Sequence, residues 1–490
     1  TPEDHLWRGK FYRTLGDSRS ALAEFQAAAQ DPELWEAHMR MGEVLQATGQ
    51  GPAALAEYQA VLERRPNEPS ALLNAGRLLV LSGRPDEAQK AFQRLTTLAP
   101  DNVEGHIEYL QLLVSKGEYD KAVAEGRRAV QAGGTRADAH FFLGIAWEAQ
   151  QEWAAAADEF KTATQRDPQQ FEAFIRMARA LYRDDRYQES IEACRAAISL
   201  RSDDPQPYRW KAEDELALGD VDAALQSLAS SLKLRPQYVE ALALASRAYM
   251  IKGDERSAVE YANSATAAEP RNPAGLLAMG EIHLSKGRGS EAQQAYAAAL
   301  EIAPELAPAI AGQGRAANLS GDKDKALALY ARASQADKRF ADAHLYSAHT
   351  LTELGRWDEA LREYRAAVQL RPRWPVALYY LGRAYLQRKD LANAHAAFAK
   401  ATQYSPNMVE AWFGLGMANR DRGDKKEAIS ALVKATQLNG NYSEAWLYLG
   451  LTYEEAGAGG PAADAFGHAR DTATDPSVKE QAEQGLLRIK

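Results

Sequence analysis

The chain has 490 residues, of which 46% are hydrophobic and 26% charged, with a formal net charge of −9 at neutral pH. These values are ordinary for a folded globular chain and exclude disorder as its main state. No stretch approaches the roughly 18 consecutive apolar residues of a membrane span, and the negative charge gives no electrostatic reason to expect nucleic acid or an anionic membrane as a partner.

The first residue of the chain and its cysteine content are relevant to the cellular compartment in which the protein works. The single cysteine, Cys194, cannot form an internal disulfide bond, and the sequence holds no cysteine cluster for zinc. The first residue is Thr1 rather than Met, and no signal segment precedes it. This favours an exported protein, periplasmic or extracellular, over a cytoplasmic one, although a trimmed chain would begin in the same way. The Asn-x-Ser sequences at Asn318 and Asn441 would matter for glycosylation only in an exported protein.

A 34-residue repeat organises the sequence. After a first step of 33 residues, one small residue recurs at this spacing with no insertion. A second small residue stands twelve positions upstream of it, usually glycine as in Gly42 and Gly76, and once the larger Leu110. A fixed period of this length indicates one supersecondary unit repeated in tandem. The recurring residues are Ala21, Ala54, Ala88, Ala122, Ala156, Ser190, Ala224, Ala258, Ala292, Ala326, Ala360, Ala394, Ala428 and Ala462.

Each unit predicts, in chain order, a first helix, a tight turn, a second helix and a short loop. The upstream small residue lies in the first helix and the alanine in the second, which allows the two backbones to approach closely. A glycine such as Gly49 follows the first helix and is typical of a left-handed helix end. An aromatic residue such as Tyr58 comes four residues after the alanine, and a proline such as Pro66 ends the second helix.

A small residue at position 8 of the unit, alanine at 20 and 27, an aromatic residue at 24 and proline at 32 resemble the tetratricopeptide repeat (TPR). The resemblance implies an all-α fold, a right-handed superhelical solenoid of helix-turn-helix repeats. Fourteen repeats would form one continuous solenoid over residues 1–476. Residues 477–490 carry Val478, Ala482, Leu486 and Ile489 at the spacing of one helical face, and we expect a C-terminal capping helix there.

We find no pattern that predicts catalysis, a cofactor or a metal. The segment that begins Gly312-Gln313-Gly314 matches a relaxed dinucleotide fingerprint, but Gly314 is the small mid-helix residue of its repeat and no strand precedes it. We therefore predict a protein that is not an enzyme, with no catalytic, cofactor-binding or metal-binding residues. Five histidines occupy position 4 of their repeats, where we expect them to pack between helices: His5, His38, His106, His140 and His344.

The TPR resemblance implies a concave groove lined by the first helices, mainly through positions 2, 5, 9, 12 and 13. Position 9 alternates in charge over several neighbouring repeats, which predicts a ladder of ion pairs between repeats. Aromatic residues are concentrated late in the groove, where they are interface anchors or only pack against each other. The candidate partner-binding residues are Arg179, Arg247, Arg315, Tyr346, His349, Tyr379, Tyr380, Arg383, Phe413 and Tyr448.

These residues favour a non-catalytic scaffold for protein–protein interaction that holds an extended peptide or a helix in its groove. One alternative is a structural protein that assembles head to tail into filaments or a multi-subunit assembly. Leu6, Trp7 and Phe11 would then mediate self-association through an uncapped N-terminal end. A further alternative is that the chain is the TPR portion of a larger enzyme.

Overall fold

The structure, a computed structural model, describes residues 1–133 and 135–489. Over these ranges it contains 29 α-helices in tandem and no β-strand, so the predicted all-α helical-repeat fold is confirmed. The chain divides into two compact units, Thr1–Asp214 and Glu215–Lys490, and the division falls inside α13. That the repeats form one continuous solenoid over residues 1–476 stays a prediction.

The helices alternate as first and second helices of the repeats. Those that begin in the first unit are α1 Pro2–Thr14, α2 Ser18–Ala28, α3 Trp35–Ala47, α4 Gly51–Arg64, α5 Pro69–Leu81, α6 Pro85–Leu98, α7 Val103–Ser115, α8 Tyr119–Ala132, α9 Ala137–Ala149, α10 Trp153–Arg166, α11 Phe171–Arg183, α12 Tyr187–Leu200 and α13 Gln206–Ala217.

The second unit continues the same alternation and ends in one additional helix. Its helices are α14 Val221–Leu234, α15 Val239–Lys252, α16 Glu255–Ala268, α17 Ala274–Ser285, α18 Gly289–Ile302, α19 Ala307–Leu319, α20 Lys323–Ala336, α21 Ala341–Glu353, α22 Trp357–Leu370, α23 Pro375–Gln387, α24 Leu391–Tyr404, α25 Val409–Arg422, α26 Lys425–Leu438, α27 Ser443–Glu455, α28 Gly459–Thr472 and α29 Pro476–Ile489.

The last helix, α29, packs against α27 and α28, as expected of a capping helix. It begins one residue before the predicted start at 477, and Lys490 lies outside the described residues. Val478 and Ala482 are buried on the inner face of α29, whereas Leu487 is exposed. The terminal helix therefore covers the apolar end of the last helix pair.

The helix ends follow the sequence signals. The glycines that come after the first helices have a positive φ, for example 77° at Gly49, and this left-handed conformation ends the helix without a steric penalty. Gln151, Asp185 and Lys389 take the same conformation without being glycine. Helix α4 ends at Arg64, two residues before Pro66, as the missing amide proton of proline requires.

In most repeats the core is a large side chain at position 24 that enters the space left by the small residue at position 8. A Cβ atom added at Gly76 would lie 2.4 Å from the Phe92 ring, and one added at Gly382 would lie 2.8 Å from the Phe398 ring. Gly414, from the next repeat, lies against the opposite side of Phe398, where an added Cβ would come within 2.4 Å. The recurring alanines, and Ser190 in their series, are 0% exposed. Both small positions are therefore dictated by this packing.

One repeat reverses the sizes. It carries the large Leu110 at position 8 and Gly126 at position 24, and a Cβ added at Gly126 would lie 3.3 Å from the Leu110 side chain. Leu143 of the following repeat fills the remaining space, 2.8 Å from the same point. Volume is thus conserved across the pair, because a close-packed interior tolerates neither a void nor an overlap.

This reversal predicts an energetic coupling between Gly382 and Phe398. Gly382→Leu alone should lower the free energy of unfolding by roughly 1–3 kcal/mol through overpacking, and Phe398→Gly alone by roughly 3–5 kcal/mol through the cavity it leaves. The double variant restores the arrangement of one large and one small residue. Its loss in free energy of unfolding should be at least about 1 kcal/mol smaller than the sum of the two single losses. Urea denaturation of the four proteins measures this coupling. Pairing Gly382→Leu with the distant Phe160→Gly should give additive losses, and additivity for both pairs would contradict the packing argument.

The five histidines at position 4 each contact a glutamate of the second helix of their own repeat. In every case Nδ1 lies within 2.5–2.7 Å of a carboxylate oxygen, and the glutamate comes 19 residues after the histidine. His106 and His140 are buried, as expected of a packing position, while the other three are partly buried. The sequence reading missed the glutamate partners, which are Glu24, Glu57, Glu125, Glu159 and Glu363.

His106 is the most enclosed of these histidines. Its Nδ1 lies 2.5 Å from Glu125 Oε1 and its Nε2 lies 2.8 Å from the Pro100 carbonyl oxygen. Because both of these oxygens only accept hydrogen bonds, the geometry favours an imidazolium that donates from both nitrogens. Burial lowers the pKa of His106, but the hydrogen bonds to Glu125 and Pro100 outweigh it, so the pKa is raised.

This arrangement predicts that the first unit loses stability as the pH rises. A raised pKa in the folded state contributes stability that is fully present below the unfolded pKa near 6.5 and is lost as the pH passes through the folded value. The urea midpoint of the wild type should fall between about pH 6 and about pH 9, and His106→Gln should reduce that fall. His283→Gln, which changes a histidine outside these pairs, is the matched control. An unchanged pH dependence in His106→Gln would contradict the assignment.

Candidate functional site

Two neighbouring clefts open on the first helices of the second unit. The larger, here called the Arg383 cleft, has a volume of about 560 Å³ and extends from α21 across α23 to α25. The smaller, the Arg315 cleft, has a volume of about 320 Å³ and extends from α17 across α19 to α21. They share His349 and Glu353 on α21, so together they follow five consecutive first helices.

Some of the residues that line the two clefts stand at the repeat positions predicted to face the groove. Positions 9, 12 and 13 of the repeat face the Arg383 cleft, as His349, Thr352 and Glu353 do from α21. The Arg383 cleft is lined by His349, Thr352, Glu353, Trp357, Tyr364, Tyr380, Arg383, Ala384, Leu386, Gln387, Lys389, Met417 and Asp421. The Arg315 cleft is lined by Leu284, Arg315, Asn318, Leu319, Tyr330, Tyr346, His349, Thr350 and Glu353.

Arg315 is held by a neighbouring repeat and by an aromatic ring. Its Nη1 donates to both carboxylate oxygens of Glu281, at 2.7 and 2.8 Å, and its guanidinium lies 5.1 Å from the centre of the Tyr346 ring. The Tyr296 hydroxyl donates to the same carboxylate at 2.7 Å. Burial lowers the pKa of Arg315, but the charge of Glu281 outweighs it and the pKa is raised. The guanidinium is therefore fixed, with its charge already compensated.

The cross-repeat ladder predicted at position 9 forms only in part. Glu281 and Arg315 pair as expected, 34 residues apart. The prediction is wrong near Arg179, which lies 3.5 Å from Glu148 of the preceding repeat, while Glu213 accepts a hydrogen bond from Arg209 on its own helix. Arg247 is exposed on α15. The reason is local: an arginine four residues away on the same helix face competes with the neighbouring repeat for Glu213.

His349 lies among aromatic rings in the wall between the two clefts. The centre of its ring lies 4.3 Å from that of Tyr380 and 5.7 Å from that of Tyr364, and the two tyrosine rings are parallel. Burial lowers the pKa of His349 and outweighs the opposing charge of Glu353, and the positive charge of Arg383 acts in the same direction as burial. Burial also raises the pKa of Tyr364 to about 12. The lowered pKa of His349 favours its neutral imidazole, and this ring forms one wall of the cleft together with the rings of Tyr364 and Tyr380.

The other predicted aromatic residues mainly contact each other. Tyr379 packs against Phe398 and Tyr380, with ring centres 6.1 and 5.1 Å apart. Phe413 lies 5.0 Å from the Tyr442 ring and 5.7 Å from the Tyr448 ring. Tyr379, Phe413 and Tyr448 are half-buried and do not line either of the two clefts. Their direct role in binding a partner therefore stays a prediction.

Several cleft residues are not predicted by the sequence pattern. Tyr364 stands at position 24, which the repeat pattern assigns to the core, and its ring reaches the cleft from the second helix. Trp357 begins α22 and has no sequence signal of its own, and Met417 faces the cleft from α25. The position of Met417 alone, at repeat position 9 like His349 and Arg383, could have indicated a groove residue.

The residues assigned to self-association separate into two groups. Leu6 is 7% exposed and packs in a core cluster with Phe25, so its role in self-association is wrong because its side chain is already covered. Trp7 and Phe11 are 67% and 49% exposed, and their rings stack with centres 5.9 Å apart. Of the three residues assigned to self-association, Trp7 and Phe11 are the ones whose side chains remain open to a partner.

Of the two possible glycosylation sequences, one lies in helix α19 and the other in a loop. Asn318 is half-buried and lines the Arg315 cleft, whereas Asn441 is exposed. Among the described residues, no group of three or more His, Cys, Asp or Glu side chains is placed to hold a metal ion. In the same ranges no helix has both the length and the apolar character needed to cross a bilayer.

The model of the tetratricopeptide repeat matches more than half of the chain, over residues 8–69, 73–137, 135–171, 143–205, 211–273, 244–307 and 379–442. A TPR repeat model matches residues 348–388. Anaphase-promoting complex subunit 7 of Arabidopsis thaliana is 26% identical over 184 residues, which make up 38% of this chain and 33% of that protein. The match therefore spans about a third of the length of that relative.

Two solved structures resemble the chain. The crystal structure of the APC/C hetero-tetramer Cut9-Hcn1 aligns over 93% of this chain and 96% of its own, with a TM-score of 0.45 and 16% identity. The crystal structure of YrrB, described as a TPR protein with an unusual peptide-binding site, aligns over 39% of this chain and 99% of its own. Its TM-score is 0.36 and its identity 21%.

Proposed function

Because the chain belongs to the tetratricopeptide-repeat family, we propose that it is a non-catalytic scaffold that binds an extended peptide or a helix of another protein. The proposed binding surface is the pair of clefts in the second unit. Protein and peptide partners are proposed, and nucleic acid is not, in keeping with the net charge of −9.

The observation that carries this proposal is the continuity of the two clefts along α17, α19, α21, α23 and α25. A peptide needs a long surface rather than a closed cavity, and successive first helices provide one. Aromatic and arginine side chains are the favoured anchors of protein interfaces, and the Arg383 cleft contains Trp357, Tyr364, Tyr380 and Arg383.

Blocking the cleft without disturbing the core tests the proposal. Gln387 is exposed at the rim of the Arg383 cleft, so Gln387→Trp adds a ring to the cleft and removes no packing contact of the repeat. A library of random 12-residue peptides, displayed without a free C-terminal carboxylate, is selected on the wild-type chain. We expect the enriched peptides to bind Gln387→Trp at least about tenfold more weakly, which corresponds to ~1.4 kcal/mol.

Gln294→Trp is the matched control, because Gln294 is exposed on the second helix α18, outside both clefts. Its affinity should stay within about twofold of the wild type, a free-energy change of under ~0.5 kcal/mol. Enriched peptides that bind Gln387→Trp as well as the wild type would contradict binding in this cleft. Failure to enrich any peptide would contradict the proposed function itself.

A second candidate function is self-assembly through α1. Position 10 of the repeat is buried at Val44, Leu78, Leu112 and Ile282, whereas Phe11 at the same position is half exposed. Trp7 stacks on Phe11 on this face. Helix α1 therefore exposes an apolar surface that is buried at the equivalent position of these other first helices. A second copy that covered this face through a different surface would make a heterologous contact, which propagates into filaments unless it closes into a ring.

Charge placed on this face should abolish such an assembly. If copies associate through α1, Trp7→Glu with Phe11→Glu should convert the assembly into monomers, since two carboxylates cannot be desolvated there without partners. Sedimentation velocity and electron microscopy at high concentration measure the change. Leu81→Glu with Leu218→Glu, two exposed leucines outside both clefts, is the control and should leave the assembly intact. A monodisperse wild-type monomer would exclude self-assembly.

A further inference from the structure

Arg383 is an exposed cation at the mouth of the cleft that carries its name. Its guanidinium lies 5.7 Å from the centre of the Tyr379 ring and 5.8 Å from that of Tyr380. In residues 1–133 and 135–489 no carboxylate lies within ion-pair distance of it. This contrasts with Arg315, the residue at the same repeat position two repeats earlier, which is bound by Glu281 at 2.7 Å.

The carboxylates that line the same cleft already have cationic partners. Glu353 lies 3.1 Å from Lys323 Nζ, and Asp421 lies 3.5 Å from Lys389 Nζ. Lys323 and Lys389 are therefore paired within the protein, and Arg383 is left to attract an anion. The tyrosine platform holds its guanidinium in place, which reduces the entropy lost when it pairs with a ligand.

The cleft beside Arg383 suits an apolar group. The rings of His349, Tyr364 and Tyr380 form one wall, and Met417 and Trp357 also line the cleft. His349 Nε2 is buried and has no hydrogen-bond partner among the described residues. A cation, an uncharged aromatic wall and a methionine thus lie next to one another, and methionine side chains adapt to ligands of different shape.

We propose that the Arg383 cleft selects peptide segments in which a glutamate or aspartate lies next to a large apolar side chain. The carboxylate pairs with Arg383, and the apolar side chain packs against His349, Tyr364 and Tyr380. This inference rests on the proposed function, because it specifies which peptides the scaffold binds. Charge complementarity decides the choice of an acidic partner, since a basic peptide would meet Arg383 while both cleft carboxylates are already paired.

The displayed 12-residue library provides the test. Peptides enriched on the wild-type chain should carry an acidic residue beside a large apolar one, and this preference should disappear from peptides enriched on Arg383→Gln. For the strongest peptide, replacing that glutamate by glutamine should weaken binding to the wild type about fivefold at low salt. The same replacement should leave binding to Arg383→Gln unchanged. Fluorescence anisotropy of the labelled synthetic peptide, with both ends blocked, measures these affinities.

Arg388→Gln is the matched control, because Arg388 is an exposed cation close by that pairs with Asp358 at 3.1 Å and does not line the cleft. It should retain the full preference for glutamate. Enriched peptides without an acidic residue, or a glutamate preference that survives Arg383→Gln, would overturn the inference. The proposed function would still stand if those peptides lose affinity for Gln387→Trp, so the two failures are distinguishable.

Discussion

The structure depends on one packing contact that recurs along the chain, the insertion of a position-24 side chain from the second helix between two first helices. At Phe398 the ring is held between Gly382 of its own repeat and Gly414 of the next, and neither glycine has room for a Cβ atom. The same contact closes one helical hairpin and joins it to its neighbour. A repeat therefore cannot bury its core without the repeat beside it, which is the physical basis of cooperative stability in such arrays.

This contact also determines which surface is available for function. Once positions 8, 20 and 24 are committed to packing, positions 9, 12 and 13 of the first helix turn away from the core, because each residue rotates the helix by about 100°. Their side chains are then free to vary in charge and shape. Arg315 and Arg383 occupy the same repeat position. Glu281 of a neighbouring repeat neutralises Arg315, whereas Arg383 pairs with no carboxylate of a neighbouring repeat or of its own helix within the described residues and lies against tyrosine rings instead. Differences of this kind, rather than the fold, decide which partner a repeat can hold.

A second recurring interaction connects several first helices to the loop before them. His106 Nε2, Trp412 Nε1 and Trp446 Nε1 each lie 2.8 Å from a backbone carbonyl oxygen at position 32 of the preceding repeat. These residues differ in size, but all can donate a hydrogen bond from a ring. Position 4 thus satisfies an acceptor near the end of a second helix, where backbone carbonyls lack helical partners. Where the residue is histidine, a glutamate on the second helix lies within hydrogen-bond distance of Nδ1, which adds a contact between the two helices of the repeat.

The sequence by itself determined the helical repeats, their register and their ends, because the spacing of 34 residues and the sizes at positions 8, 20 and 24 express packing that every repeat shares. The resemblance to the TPR family also pointed to position 9 of the repeat, and Arg315, His349 and Arg383 at this position line the two clefts. Only the tertiary structure decided what lies across from them. Three examples each involve residues of different helices. Arg315 pairs with Glu281, Ser190 donates a hydrogen bond to the buried Asp214, and the Tyr364 ring lines a cleft formed by the first helices. No local pattern encodes these contacts, since side-chain direction and competition from nearby charges are fixed only when the helices pack.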